Sequence, residues 1–229
     1  MWSRIVPMAD LRLYLPDFES VELIRCSPPS WMVRLALEEK GIDHDLQAFD
    51  FGAREHRRGD LLELNPRGTI PILQHGDLVL VEALSMLQYI DDLSDEPALM
   101  PKGAGRAIAL DRLHTSGHLK SVGMELFGYL MRMTAEERDP IRVDALIGQL
   151  QGELEHWERH YAAADEATPL TLVDISVMTY VATAARLGLQ LTPRFPRLAA
   201  ALATWKRRPA VARTWPSGWS ERPLNVLSG

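Results

Sequence analysis

Apolar and polar residues alternate near the start of the chain, where Leu11, Leu13 and Leu15 are separated by Arg12 and Tyr14. A repeat of two places the leucines on one face of an extended chain, so the pattern predicts a first strand. An irregular acidic segment, residues 16–25, follows this strand.

A helix is predicted next, from Pro28 or Pro29 to about Lys40. Proline suits the first turn of a helix, where its missing N–H is no loss, and the preceding serine supplies a cap. Gly41 provides the C-terminal stop, because glycine readily adopts the left-handed conformation that ends many helices.

Shorter apolar clusters predict the next elements. Leu46, Ala48 and Phe51 indicate a second strand, and a polar, basic loop at 52–60 leads into a short helix at 61–64. Glu82 opens a third helix, whose apolar face is formed by Ala83, Leu87 and Ile90.

Pro71 lies inside the apolar run 70–73. Proline lacks the N–H that a sheet ladder needs, so we predict an edge strand whose approach is bent by a cis Ile70–Pro71 bond. The cis form before proline costs only about 0.5–1 kcal/mol. This strand and a partner near 78–81 would form a hairpin that turns at 75–77.

Helical periodicity dominates after an acidic, proline-containing linker at 94–103. The apolar residues between Val143 and Tyr161 repeat at helix spacing, although Gly148 and Gly152 each cost about 1 kcal/mol unless another helix packs closely there. Residues 171–174 predict a capping box that opens a buried helix.

The last predicted helix carries Trp205 and ends before Pro209.

The composition is that of an ordinary globular protein, with 229 residues, 46% hydrophobic and 24% charged. The net charge of −6 disfavours nucleic acid as a partner, since phosphate binding needs a basic field. The single cysteine, Cys26, excludes an internal disulfide framework and favours a cytoplasmic location. We expect neither a membrane span nor a secretory signal, and Met8 is an alternative start to Met1.

Several short motifs, taken in order, resemble the glutathione S-transferase family. Asn-Pro-x-Gly-x-Ile-Pro at 65–71, the Gly-Asp turn at 76–77 and Glu82-Ala83 at a helix start are similar to its glutathione-binding half. Thr-Leu-x-Asp at 171–174 is similar to its capping motif, and the stretch 195–211 to its last helices.

The resemblance covers roughly residues 10–213 and implies a fold of α/β plus all-α class. Residues 10–93 would form a thioredoxin-like, glutathione-binding domain with the order βαβαββα. Residues 94–103 would be a linker, and residues 104–229 an all-helical bundle that contributes the acceptor pocket.

The stretch from Ser27 to Arg34 resembles the active-site turn of the serine-type, bacterial members, and this implies that Ser27 is catalytic. Glutathione chemistry needs a thiolate, but a free thiol has a pKa of about 8.5. A hydroxyl donor and a helix N-terminus both favour the anion. Alternatively Ser27 is only a helix cap, Ser30 takes its place, or Cys26 carries out thiol exchange; we expect Cys26 to be buried or inert.

The same resemblance implies residues that hold glutathione as co-substrate. The backbone of Ile70 beside Pro71 would bind the extended tripeptide, Glu82 its ammonium, and the Ala83 N–H its γ-glutamyl carboxylate. Serine is usual in place of Ala83, so the missing hydroxyl predicts weaker binding.

The basic loop 54–58, with His56, is the candidate for the glycine carboxylate, and Lys40 and Arg67 are other possibilities. A charged loop of this kind is more often simply solvated.

The implied activity joins glutathione to a small hydrophobic electrophile. The methionines and aromatic residues at 124–131 would line the acceptor pocket or belong to the core, and His114 and His118 are interpreted as polar helix residues rather than metal ligands. We expect a homodimer, with no nucleic acid and no membrane as partner.

The alternatives are ether cleavage, dehalogenation or isomerisation at the same site, or a non-catalytic ligand- or protein-binding module that kept the fold. Some resemblance to the branch that cleaves aryl ethers lies in the active-site turn, which carries Ser-Pro and then Trp.

Overall fold

The computed structural model describes residues 10–17, 26–162, 169–217, 219, 223–224 and 226–227. The chain divides into two compact units, one formed by Met1–Leu99 with Arg213–Ser217 and the other by Met100–Ala212 with Gly218–Gly229. The division after Leu99 falls inside the predicted linker; the predicted domain limits themselves stay a prediction. Most of the predicted acidic segment 16–25 lies outside the described residues.

The first unit contains a four-stranded mixed sheet in the order β2-β1-β3-β4. Strand β1 pairs in parallel with β2 and antiparallel with β3, which pairs antiparallel with β4. The bounds of the elements are β1 Leu11–Asp17, α1 Pro28–Lys40, β2 Asp45–Asp50, α2 Gly59–Leu64, β3 Ile72–His75, β4 Leu78–Leu80 and α3 Ala83–Asp92. The predicted order βαβαββα and the thioredoxin-like fold class are therefore confirmed.

The predicted alternation in β1 is confirmed in its first half, where Leu11 and Leu13 are buried and Arg12 is exposed, whereas Tyr14 and Leu15 are both half-buried. Helix α1 begins at Pro28 and ends at Lys40, and Gly41 follows in the left-handed conformation with φ 61°. Both helix limits are confirmed.

The Ile70–Pro71 bond is cis, as predicted. The prediction of an edge strand is wrong, because β3 lies between β1 and β4. Pro71 precedes the first residue of β3, Ile72, so proline takes up no position in the hydrogen-bonded ladder.

Helices make up the second unit, and long apolar stripes explain how they pack. Their bounds are α4 Ala104–Arg132, α5 Pro140–Ala162, α6 Leu172–Arg186, α7 Pro196–Lys206 and α8 Pro209–Thr214, the last of which reaches the first unit. The predicted end of helical structure before Pro209 is wrong, because this proline occupies the first turn of α8, where its missing N–H is tolerated. Among the described residues, no helix combines the length and the apolar content needed to cross a bilayer.

Helix α6 is buried along most of its length and starts with the predicted capping box. The Thr171 side chain accepts from the Asp174 backbone N–H, and Asp174 in turn accepts from the Thr171 backbone N–H at 2.8 Å. Tyr161 of α5 donates to the same carboxylate at 2.8 Å, which ties α5 to the start of α6.

Candidate functional site

Ser27 is the N-cap of α1. Its backbone is extended, and its carbonyl oxygen accepts the first helical hydrogen bond from the Trp31 N–H at 2.8 Å. The side chain therefore lies at the positive end of the helix dipole, where a nearby anion is stabilised.

The Ser27 hydroxyl accepts two hydrogen bonds from Ser30. The Ser30 backbone N–H lies 3.4 Å from Ser27 Oγ, and the Ser30 hydroxyl donates to the same oxygen at 3.1 Å. Because Ser27 accepts in both contacts, its own proton is left to donate to a ligand, as far as the described residues show. Ser30, the rival candidate, is 2% exposed and directs its hydroxyl at Ser27, which fits a supporting role.

A cavity of about 220 Å³ opens beside Ser27 within the first unit. Its described lining is mostly apolar or neutral, with one positive group, Arg34, and one negative group, Asp17. The other lining residues are Leu15, Pro16, Cys26, Ser27, Ser30, Trp31, Leu46, Ala48, Thr214, Pro216 and Ser217. Sequence reasoning missed the contribution of residues 214–217, because nothing local signals that they join the first unit.

Trp31 is held rigidly in this wall. Its indole N–H donates to the Thr214 hydroxyl at 3.1 Å, and its ring meets Trp215 edge-on with centroids 5.5 Å apart. A fixed aromatic ring of this kind gives the cavity a flat apolar surface.

Cys26 also lines the cavity but is 6% exposed. Burial raises the pKa of its thiol well above the ordinary value, because desolvation disfavours the thiolate. The expectation that Cys26 is buried is confirmed, and a thiol of this kind is a poor nucleophile.

The loop 65–68 is organised by Asn65, which is 2% exposed. The Asn65 side-chain amide donates to the Thr69 carbonyl at 2.7 Å and accepts from the Arg67 N–H at 3.2 Å. Gly68 then turns the chain with φ 58°. The sequence motif predicted this loop, but it did not indicate that the Asn65 side chain stabilises the loop through hydrogen bonds to its backbone.

Glu82 and Ala83 lie at the start of α3. Glu82 is the N-cap, with its side chain 58% exposed and its carboxylate 3.8 Å from Arg67 Nη1. Ala83 is 3% exposed, and its backbone N–H belongs to the first turn, where helix donors lack intrahelical acceptors. This geometry fits an ammonium at Glu82 and a carboxylate at the helix end.

His56 lies in a 3₁₀ helix, Glu55–Arg57, and is 6% exposed. Its ring stacks on Phe51 with centroids 4.8 Å apart, and its buried Nδ1 atom has no hydrogen-bond partner among the described residues. The pKa of His56 is lowered by burial first and then by Arg57 and Arg54.

Lys40, one of the other possibilities for the glycine carboxylate, instead forms contacts with residues of its own unit. Its buried ammonium pairs with Asp91 Oδ1 at 3.2 Å and donates to the carbonyl oxygens of Asp91, Ser94 and Pro97. That suggestion is therefore wrong, because releasing this group would leave a buried carboxylate unpaired.

The predicted glutathione-binding residues lie around the loop 65–68. Arg67 of this loop meets Glu82, and a Cβ at Gly68 would lie 3.4 Å from the His56 carbonyl oxygen. Of the predicted residues, Ser27 is the one found in the described lining of the cavity.

Two of the four suggested acceptor-pocket residues, Phe127 and Tyr129, are buried in the second unit, whereas Met124 and Met131 are half-buried. Tyr129 accepts from the Asp139 N–H at 2.9 Å, and Arg142 lies over its ring at 4.6 Å. Phe127 and Tyr129 thus belong to the core, the alternative that the sequence left open.

Comparison with known proteins identifies relatives along most of the chain. Residues 26–93 match the family described as glutathione S-transferase, N-terminal domain. Glutathione S-transferase A of Pleuronectes platessa is 29% identical over 205 residues, which cover 86% of this chain and 91% of the relative.

Solved structures agree with this similarity. A glutathione S-transferase from the Antarctic clam Laternula elliptica superposes with a TM-score of 0.77 at 26% identity, covering 95% of this chain and 97% of that one. The glutathione transferase URE2P6 of Phanerochaete chrysosporium, solved with oxidized glutathione, has a TM-score of 0.78 at 22% identity, covering 90% and 94%.

Proposed function

We propose that this chain, which belongs to the glutathione S-transferase family, binds glutathione and uses Ser27 to activate its sulfur for attack on a small electrophile. The observation that carries the proposal is the Ser27 hydroxyl, which caps α1, lines the cavity and keeps a proton to donate. The family membership supplies the identity of the thiol.

Ser27 acts by stabilising the thiolate in two ways. Its hydroxyl donates a hydrogen bond to the sulfur, and the N-terminus of α1 contributes a positive potential at the same place. A reduction of the thiol pKa by about two units requires about 2.7 kcal/mol of differential stabilisation. A charge-assisted hydrogen bond together with a helix terminus is of this size.

The remaining predicted residues hold the tripeptide. Glu82 pairs with the γ-glutamyl ammonium, the Ala83 N–H binds the neighbouring carboxylate, and the backbone of Ile70 next to Pro71 pairs with the extended chain. His56 and the arginines of its loop are proposed to face the glycine carboxylate. A bound carboxylate would favour the protonated form of His56 and offset the effect of burial.

In the reaction, the thiolate forms a sulfur–carbon bond to the electrophile, and the group displaced from that carbon leaves with the bonding electron pair. We propose a small, largely apolar electrophile, a cytoplasmic location and a homodimer; the resemblance to the family supports the first and the third, and the single cysteine supports the second. Sedimentation equilibrium of the purified protein tests the dimer.

Calorimetric titration with glutathione, followed by a conjugation assay with neutral chlorodinitrobenzene, tests the proposed function. We expect saturable binding and chloride release faster than the uncatalysed reaction. An absence of binding at millimolar glutathione would contradict the proposal and favour a binding module that kept the fold.

A further inference from the structure

Arg34 is the positive group in the wall of the cavity beside Ser27. It lies on α1, three residues after Trp31 and seven after Ser27. Residues three or four apart on a helix share a face, so Ser27, Trp31 and Arg34 follow one another along the same side of α1. All three line the cavity.

The guanidinium of Arg34 has no hydrogen bond and no ion pair within the described part of the chain. Its Nε atom is fully buried and lacks an acceptor. A buried donor without a partner is destabilising, and more so when it is charged, so natural structures usually give such a group a ligand, a water or a function.

The surroundings indicate what that ligand is. The uncharged part of the cavity lining includes Leu46, Ala48 and the ring of Trp31. Its negative group, Asp17, is exposed to solvent, where water screens its charge. A partly desolvated guanidinium in a cavity that also holds an aromatic ring and aliphatic side chains favours a planar anion attached to an apolar body.

We propose that Arg34 selects electrophiles that carry a carboxylate, with the apolar body of the substrate lying against Trp31 and the reacting carbon near Ser27. This inference rests on the proposed function and names the substrate class of the same cavity. Seven residues of helix span about 10 Å, and arginine side chains on helices lean toward the N-terminus. The carboxylate therefore lies within about 10 Å of the carbon that is attacked, the size of a substituted benzoate.

The test compares a charged and a neutral electrophile of similar shape: a chlorodinitrobenzoate with its carboxylate para to the chlorine-bearing carbon, and its methyl ester. Each rate is divided by the uncatalysed rate with glutathione, because the two compounds differ in intrinsic reactivity. The wild type should favour the carboxylate by about tenfold or more in kcat/KM, the size expected for a charge-assisted hydrogen bond. Arg34→Met should lose this preference while the ester reacts as before, and Arg34→Lys should keep part of it.

Arg142→Met is the matched control, since it removes the same charge from the surface of the second unit. It should leave the preference unchanged. The inference is overturned if the wild type does not favour the carboxylate, or if Arg34→Met slows both compounds equally, which would indicate a structural role.

A second measurement separates this inference from the proposed function. Naphthoate and the neutral naphthalene carboxamide are titrated by calorimetry into the wild type and Arg34→Met in the absence of glutathione. Naphthoate should bind the wild type about tenfold more tightly than the variant, with the carboxamide unaffected. If glutathione neither binds nor reacts, the proposed function fails, and the naphthoate comparison alone upholds or overturns the role of Arg34.

Discussion

The hydroxyl of Ser27 both caps α1 and lines the cavity, so substitutions at this residue affect the stability and the chemistry together. Ser27→Ala should reduce turnover by at least about tenfold, equivalent to about 1.4 kcal/mol, while glutathione affinity stays nearly unchanged. The loss arises because the hydrogen bond acts mainly on the thiolate. Steady-state kinetics and calorimetric titration measure the two quantities.

Ser27→Gly separates catalysis from capping. Glycine at an N-cap costs only a few tenths of a kcal/mol relative to serine, whereas alanine costs about 1 kcal/mol. Both variants should lose activity to the same extent, and Ser27→Gly should be the more stable in urea. A fully active Ser27→Gly variant would mean that Ser27 is only a cap. Cys26→Ser should be nearly silent; an inactive Cys26 variant beside an active Ser27 variant would indicate thiol exchange.

The start of α3 gives a further prediction for single residues. Ala83→Ser restores a hydroxyl at the helix N-terminus and should tighten glutathione binding by about 0.5–1.5 kcal/mol. Glu82→Ala should weaken binding by more, because the γ-glutamyl ammonium loses its carboxylate. Calorimetric titration measures both effects. Unchanged affinity in both variants would show that glutathione is not held here.

At the scale of the elements, the sequence pattern predicted a feature correctly where the contacts that stabilise it join residues close together in the chain. The limits of α1, the hairpin turn and the capping box of α6 depend on residues within a few positions of one another. The central position of β3 depends on its pairing with β1, about 60 residues away in the chain, and a proline next to the strand gave a misleading signal. The role of Lys40 likewise depends on a distant contact, since Pro97 lies 57 residues further along the chain.

Helix α5 offers a test of intrinsic helix propensity. Gly148 is exposed, and a Cβ added there would have no heavy atom within 4 Å. No packing contact with the described part of the chain therefore requires a glycine at this position. Gly148→Ala should raise the free energy of unfolding by about 0.8–1.0 kcal/mol, because alanine loses less backbone entropy in a helix. Urea denaturation measures the change.

Gly123→Ala in α4 is the contrasting variant. Its Cβ would lie 3.0 Å from Tyr180 Cδ1, in the packed contact between α4 and α6. The variant should be destabilised despite the same gain in propensity, because overpacking a core costs about 1–3 kcal/mol. Equal effects at the two glycines would contradict the packing argument.

At the scale of the whole molecule, one histidine in each unit links folding to pH: His56, which is buried, and His160, which is half-buried. Burial is the main cause that lowers the pKa of His56 in the first unit and of His160 in the second. For His160 the positive charge of Arg112 adds to this effect, whereas Asp174 opposes it. The unfolded chain restores the ordinary value of 6.5 to both. Below that pH the unfolded state therefore binds protons that the folded state does not.

The free energy of unfolding should consequently fall as the pH drops from about 7.5 to about 5.5. His56→Phe keeps an aromatic ring against Phe51 and removes both the titration and the unpartnered Nδ1 atom. The variant should be more stable than the wild type, by a margin that grows toward low pH, since the wild type alone loses stability through this group. His56→Gln should show the same reduced pH dependence without the stacked ring. Urea denaturation across this pH range measures the margin, and a constant margin would show that His56 does not couple protonation to folding.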